Sequence, residues 1–300
     1  MATVEFGNFY YFFYIGLAVV LIALGYFLLR KKSYEFKYNT LLIILFMNLG
    51  LHFIKMFFDP CRSELPWSWT SITFENICAG STLVFPFLFW QKKYKFLHNY
   101  MFFIGVCGGA AALAYPTQAL GESPIIFETI RFYVCHISLI AIPVLAGMLG
   151  VYKPELSLKS IWFIPVCFLI HETIILLNEL FLIAVGLVQT DLATFLSSSG
   201  ERNASFIFGP WDSFAGAGKI ITIFTPSFML KDVFMINGGV DFYWPVLWMA
   251  IPAFIYLPIV YAILSSPFWL PEFIKNKKKG VTPITETQSE LEIEVTDTAV

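Results

Sequence analysis

The chain has 300 residues, of which 58% are hydrophobic and only 13% charged, and its mean hydropathy is +0.72. Soluble domains carry roughly 45–50% apolar and about 25% charged residues, so one soluble core does not account for this composition. The net charge of -2 gives no basic field to recruit nucleic acid, and none is expected as a partner.

Spans of about 20 mostly apolar residues recur along most of the chain. The first is Phe9 to Leu29, closed by Arg30, Lys31 and Lys32. Glu5 precedes it and the basic cluster follows, the reverse of a signal peptide, so an uncleaved span is expected. The second runs from Thr40 to Phe58 and the third from Ile72 to Trp90. The fourth is Asn99 to Tyr115, the fifth Arg131 to Gly150 and the sixth Ser160 to Leu187. A segment over residues 188–241 follows, whose apolar run Ile220 to Leu230 is too short to span and suits a re-entrant or interfacial helix. The seventh span is Phe242 to Ser265. Residues 1–274 thus form one all-α polytopic transmembrane bundle, and 275–300, acidic and poor in apolar residues, read as a disordered tail.

With the N-terminus outside, 13 of the 19 Lys and Arg residues fall in inner loops or the tail. Basic bias sets orientation, so the N-terminus is expected outside and the C-terminus inside. Lys outnumbers Arg by 15 to 4 and Phe reaches 33, a bias that hints at an AT-rich bacterial genome and hence at a bacterial plasma membrane. The five cysteines, Cys61, Cys78, Cys107, Cys135 and Cys167, show no CxxC spacing and no disulfide framework. Gly216-Ala217-Gly218-Lys219 lacks the leading glycine and the Ser/Thr of a phosphate loop. Asn203-Ala204-Ser205 fits a glycosylation pattern that arises often by chance.

Polar residues inside spans mark candidate sites. On the second span Asn48, His52, Lys55 and Asp59 share a helical stripe. On the third, Ser71, Glu75, Cys78 and Thr82 do the same. The fifth aligns Thr129, His136, Pro143 and Gly147, and the sixth pairs His171 with Asn178 and Glu172 with Glu179. Counted from the outer ends at 1.5 Å per residue, Cys78 lies roughly 9 Å down and His136 roughly 8 Å down. A Cys beside a His can form an activated thiolate that attacks an acyl carbonyl, and Glu75, Glu179 or Asn178 can orient the imidazole. A working pair should approach within about 4–6 Å. Cys135 points about 100° away from His136 and is taken as packing. The expected cavity is therefore lined by Cys78 and His136 with Glu75, Asn178, Glu179, His52, Lys55 and His171.

Other chemistries use the same residues. His52, His136 and His171 with Glu75 or Glu172 have metal-donor atoms, but no HxxxH or HExxH pair lies on one helix. Neither a metal nor another cofactor is expected. A layer with Lys55, Asp59, Glu75, Glu172 and Glu179 also suits a solute or ion transporter, although no internal repeat is visible. A bundle whose polar residues merely pack is the bland alternative.

Phe74-Glu75-Asn76-Ile77-Cys78 before an apolar helix, Tyr115-Pro116, Arg131 to Ile140 around His136, and the later Asn178 and Asn203 resemble the YwaF-like integral membrane family over about Thr40 to Leu264. That family is similar to the eukaryotic transmembrane protein 164 family, associated with acyl transfer to phospholipids through a membrane cysteine. The resemblance implies Cys78 as that cysteine, His136 as the histidine and membrane lipids as partners. Asn76 stands where members often have a histidine, and Cys135 where they have a serine.

Overall fold

The computed structural model describes residues 2–190, 192–195, 203, 205–209, 215–230 and 244–278. Its main helices are α1 (Phe9–Leu29), α2 (Tyr34–Ile54), α3 (Ile77–Trp90), α4 (Lys95–Ala114), α5 (Phe127–Met148) and α6 (Leu158–Ala184). Two short helices, α7 (Leu192–Phe195) and α8 (Ala215–Thr222), precede α9 (Ala250–Lys278). Six of these elements are long and apolar enough to cross a membrane, and α3 is a shorter apolar helix. The protein is an all-helical, multi-pass membrane protein; among the described residues the extended pairing is an isolated bridge between Val4 and Leu120.

The helices begin where side chains can satisfy the free N–H groups of a first turn. Asn8 accepts from the Tyr11 N–H at 3.0 Å, Ser33 from Phe36 at 3.3 Å and Ser157 from Ser160 at 3.1 Å. Chain direction reverses at each helix, which gives the bundle two unlike ends. Residues 30–33, 91–94 and 149–157 form short connections at one end, and longer segments join the helices at the other.

Helices α4 and α5 form the centre, where α5 packs on α1, α2, α3 and α4, and α4 packs on α3, α5 and α6. Lipid-facing residues surround them. Phe9, Phe12, Phe13, Val19, Val20, Leu24, Phe27 and Leu28 of α1 are exposed apolar side chains, and α1 buries only Tyr14, Ala18 and Leu29. An apolar helix with so small a buried face is stable in hydrocarbon, not in water. Close packing at the centre depends on small residues of α4. A Cβ at Gly109 would stand 2.5 Å from Ile140 Cγ1 and 3.0 Å from the His136 carbonyl oxygen. At Gly108 the corresponding atom would meet Cys78 Sγ at 3.5 Å, an ordinary contact.

Several boundaries differ from the sequence reading: α2 begins at Tyr34 and not Thr40, α4 at Lys95 and not Asn99, and α5 at Phe127 and not Arg131. The third helix begins at Ile77, not Ile72, and residues Trp67–Ile72 form a separate 3-10 turn. Asn76 causes the late start: its side chain accepts from the Ala79 N–H at 2.9 Å and caps the helix there. Ser71 and Glu75 therefore do not share a helical stripe with Cys78 and Thr82. Helix α9 starts at Ala250 after a 3-10 turn and runs past Ser265 to Lys278, through Pro258, Pro267 and Pro271. It enters the segment read as a tail by four residues, 275–278; residues 279–300 lie outside the described residues. Within Ile220 to Leu230, α8 ends at Thr222 and a 3-10 turn covers Ser227–Leu230, so neither piece spans.

Candidate functional site

Helix α3 has 14 residues, about 21 Å of length, which is short of the roughly 30 Å hydrocarbon thickness. Its N-terminus consequently ends inside the bundle, an arrangement tolerated where backbone lines a cavity. Cys78 is the second residue of the helix. The neighbouring first-turn donors are occupied: Ile77 N–H donates to Ser205 Oγ at 3.0 Å and Ala79 N–H to Asn76 Oδ1. The Cys78 N–H has no partner among the described residues. A free N–H and the positive end of a helix dipole thus lie beside the sulfur.

Cys78 opens onto a cavity of about 730 Å³, within the usual size of a small-molecule site. Its polar lining includes His52, Lys55, Glu75, Arg131, His136 and Glu172. Its apolar wall comes largely from α4, through Ile104, Cys107, Gly108, Ala111 and Ala112, with Leu139, Phe168 and Trp248. The two candidate dyad residues therefore face one space. Measured from the short-loop end, Cys78 is 12 residues from Trp90 and His136 is 12 residues from Met148, so each stands about 18 Å up its helix. Glu172 is 14 residues from Leu158, about 21 Å up. The count from Ile72 does not apply, because the first five residues of that span are not part of α3.

The His136 ring is oriented by its own helix. Its Nδ1 lies 2.7 Å from the Phe132 carbonyl oxygen and must carry the hydrogen, since the carbonyl only accepts. That tautomer leaves Nε2 with a free lone pair, and no hydrogen bond engages it among the described residues. No hydrogen bond joins His136 to Cys78 among the described residues either. The two helices are held on either side of the Gly108–Gly109 pair of α4, with Gly108 against Cys78 and Gly109 against the His136 backbone.

The other expected residues divide into two groups. His52, Lys55 and Glu75 line the cavity nearer its long-loop end. Lys55 is buried and donates to the Ser71 carbonyl oxygen at 2.6 Å, which ties the end of α2 to the turn before α3. Asn178, Glu179 and His171 are not in the lining. Asn178 Nδ2 donates to Thr73 Oγ1 at 3.0 Å outside the cavity, and Glu179 is buried on α6. His171 Nδ1 lies 2.9 Å from the Tyr100 hydroxyl, and its ring fills the space beside Gly80 where a Cβ would overlap it. It serves the junction of α3, α4 and α6.

The lining adds residues that the sequence reading did not place there. Cys135, expected to pack away, faces the cavity as His136 does, with Arg131 Nη1 at 3.9 Å from its sulfur. Arg131 is itself buried and paired with Glu128. Glu172 is 0% exposed, and neither carboxylate oxygen has a partner among the described residues. A charge inside a span was the available signal for it. The stripe from Phe168 to Glu172, one turn apart, is the face of α6 that reaches the cavity.

The long-loop end is closed over Cys78 by residues 205–209. Asn203 is fully buried, donating to the Gly209 carbonyl at 2.7 Å and accepting from the Phe208 N–H at 2.9 Å. That role leaves no side chain free for a glycan. Trp248 Nε1 donates to the Phe206 carbonyl oxygen at 3.0 Å, and Phe206 and Val246 both hold positive φ, 61° and 62°. Non-glycine residues keep such angles only where surrounding contacts enforce them.

The chain matches the model of the TMEM164 family over residues 5–230. It belongs to the TMEM164 family. The matched stretch carries Cys78, His136 and Glu172 and ends before α9. No curated protein and no solved structure matches. The TMEM164 assignment agrees with the multi-pass architecture and with the YwaF-like resemblance of the sequence.

Proposed function

We propose that the protein is a membrane acyltransferase that moves a fatty acyl group from a phospholipid through a thioester on Cys78, with His136 as the base. The observation that carries the reading is the shared cavity: Cys78 at a helix N-terminus and His136 with Nε2 free stand at one level of it. A lipid cavity of this size, walled by α4, suits an acyl chain, and the membrane supplies the substrate laterally.

In the first half-reaction Cys78 Sγ attacks the ester carbonyl carbon of the donor and its proton passes to His136 Nε2. Contact between the two is made when substrate, or one water, fills the cavity, since such hydrogen bonds often tighten only in the loaded site. The negative charge that develops on the carbonyl oxygen lies near the free Cys78 N–H and the α3 dipole, which need no reorganisation to stabilise it. The ester C–O bond breaks, and the leaving alkoxide takes the proton from His136. An acceptor hydroxyl then attacks the thioester carbon, the C–S bond breaks, and the hydroxyl proton ends on Cys78 Sγ. Water as acceptor would give hydrolysis instead.

Lys55 and Arg131, both buried and in the lining, offer positive charge toward the long-loop end for a lipid phosphate. Trp67 and Trp69 are half-exposed near that end and suit a membrane interface, whereas Trp211 lies outside the described residues. We place this end outside a bacterial plasma membrane.

The test is turnover in nanodiscs holding a diacyl phospholipid and a lysophospholipid acceptor. Release of lysophospholipid from the donor, with matching acylation of the acceptor, is expected from the wild type. Cys78→Ser and His136→Ala should each lose at least 10³-fold, as members of a nucleophile–base pair do. Full activity in Cys78→Ser would remove Cys78 as the nucleophile, and no acyl movement with any donor favours a transporter or a non-catalytic bundle.

A further inference from the structure

The dyad leaves Glu172 unused. Glu172 is 0% exposed, lines the same cavity as Cys78 and has no hydrogen-bond partner on either oxygen among the described residues. Its neighbour His171 is taken by the Tyr100 hydroxyl, and Arg131, one of the cavity's cations, is paired with Glu128. Lys55 is held by the Ser71 carbonyl. A buried carboxyl without a partner persists where a ligand or a proton-transfer step uses it.

Its position narrows the step. Helix α3 packs against both α5 and α6, so His136 and Glu172 reach the Cys78 level from two different neighbouring helices. Glu172 stands about 3 Å higher than Cys78 on the helix count. A group on that second wall is suited to receive the second substrate, whose oxygen must approach the thioester carbon with its hydrogen directed to an acceptor.

We infer that Glu172 is a catalytic residue of the second half-reaction, binding the hydroxyl of an alcohol acceptor and accepting its proton. The inference rests on the thioester reading of Cys78. The acceptor O–H donates to a Glu172 oxygen. As the new C–O bond forms and the C–S bond breaks, one Glu172 oxygen takes this proton while the hydrogen on its other oxygen passes to the Cys78 sulfur, so the buried carboxyl stays neutral throughout. No oxidant, reductant or further co-reactant is involved. Two carboxyl oxygens also allow a second donor on the acceptor, such as a vicinal hydroxyl or an ammonium group, to be held at once.

The two half-reactions separate the idea from the dyad itself. Full-length protein in nanodiscs is given a diacyl phospholipid and a lysophospholipid acceptor, and acyl-Cys78 is followed by mass spectrometry. Glu172→Gln and Glu172→Leu should form acyl-Cys78 as fast as the wild type. Transfer to the acceptor should fall about 10²-fold or more, the usual worth of a positioned base, so that the thioester accumulates. Hydroxylamine, which brings its own nucleophilic nitrogen, should cleave the accumulated thioester equally in wild type and variants. Should the leucine variant not fold, the near-isosteric glutamine variant carries the test. Glu172→Gln transferring acyl groups within twofold of wild type would overturn the inference, as would loss of acyl-Cys78 formation in that variant. If wild-type Cys78 never acylates, the thioester reading fails first and takes this one with it.

Discussion

Gly108 and Gly109 stand side by side on α4 and face different helices, and this pair decides how near Cys78 and His136 come. A methyl group at Gly108 meets the Cys78 sulfur at an ordinary distance, whereas one at Gly109 meets Ile140 and the His136 backbone too closely. Gly108→Ala is therefore expected to fold normally. Gly109→Ala is expected to cost about 1–3 kcal/mol, typical of overpacking, and to slow acylation of Cys78 by displacing α5. Thermal unfolding in detergent, with Cys78 labelling rates, checks both; equal melting of the two variants contradicts the packing account. Lys55 bears on a different link. Its bond to the Ser71 carbonyl is charge-assisted, so Lys55→Met should cost about 1.5–3 kcal/mol on the same assay. No change in melting would free Lys55 from that structural role. At this scale the sequence made Cys78, His136, His52, Lys55 and Glu75 visible, because polar groups inside apolar spans are few. It misjudged α6: Asn178 and Glu179 belong to the part of the helix that meets Thr73, while Phe168 and Glu172 face the cavity. Helix periodicity names the stripes but does not say which stripe meets the cavity, since helix tilt and neighbours decide that.

Among the elements, α3 shows where apolar composition misleads. Residues from Ile72 to Trp90 look like one span by length and hydropathy, yet Asn76 stops the helix and leaves its end open in the cavity. An Asn directly before an apolar run is a start signal readable in sequence. The apolar and aromatic residues just upstream extend the hydrophobic stretch past it and mask the signal. The break sets the function proposed here, because a continuous helix would have spent the Cys78 N–H on the residue four before it. Asn76→Ala should remove the cap and destabilise the protein by about 0.5–2 kcal/mol, whereas Asn76→Asp should hold. It should also slow Cys78 acylation more than it slows labelling of an exposed reporter cysteine. Equal stability of Asn76→Ala and wild type would show that the helix start is set by tertiary packing alone.

The whole molecule was legible in outline because the bilayer imposes length and polarity on every span. Among the described residues six helices are long and apolar enough to cross and α3 is a shorter apolar helix, in line with the reading of about seven spans. Segments joining α6 to α9 were not legible, since short polar-apolar mixtures carry no period. The basic residues gather at the short-loop end, where Lys92 lies 4.2 Å from the Tyr38 ring and Lys159 5.3 Å from the Phe96 ring. Such cation–aromatic pairs suit a membrane–water interface. Reporter fusions at Leu187 and Gly280 should report outside and inside, respectively; the reverse would put the long-loop end of the bundle on the other side. The central claim is tested most directly by trapping the protein during turnover with phospholipid and mapping its adducts by peptide mass spectrometry. The account predicts a hydroxylamine-labile acyl group on Cys78, absent in Cys78→Ser and at least 10-fold slower to form in His136→Ala. Sustained acyl transfer with Cys78 unmodified, or with serine in its place, would contradict it.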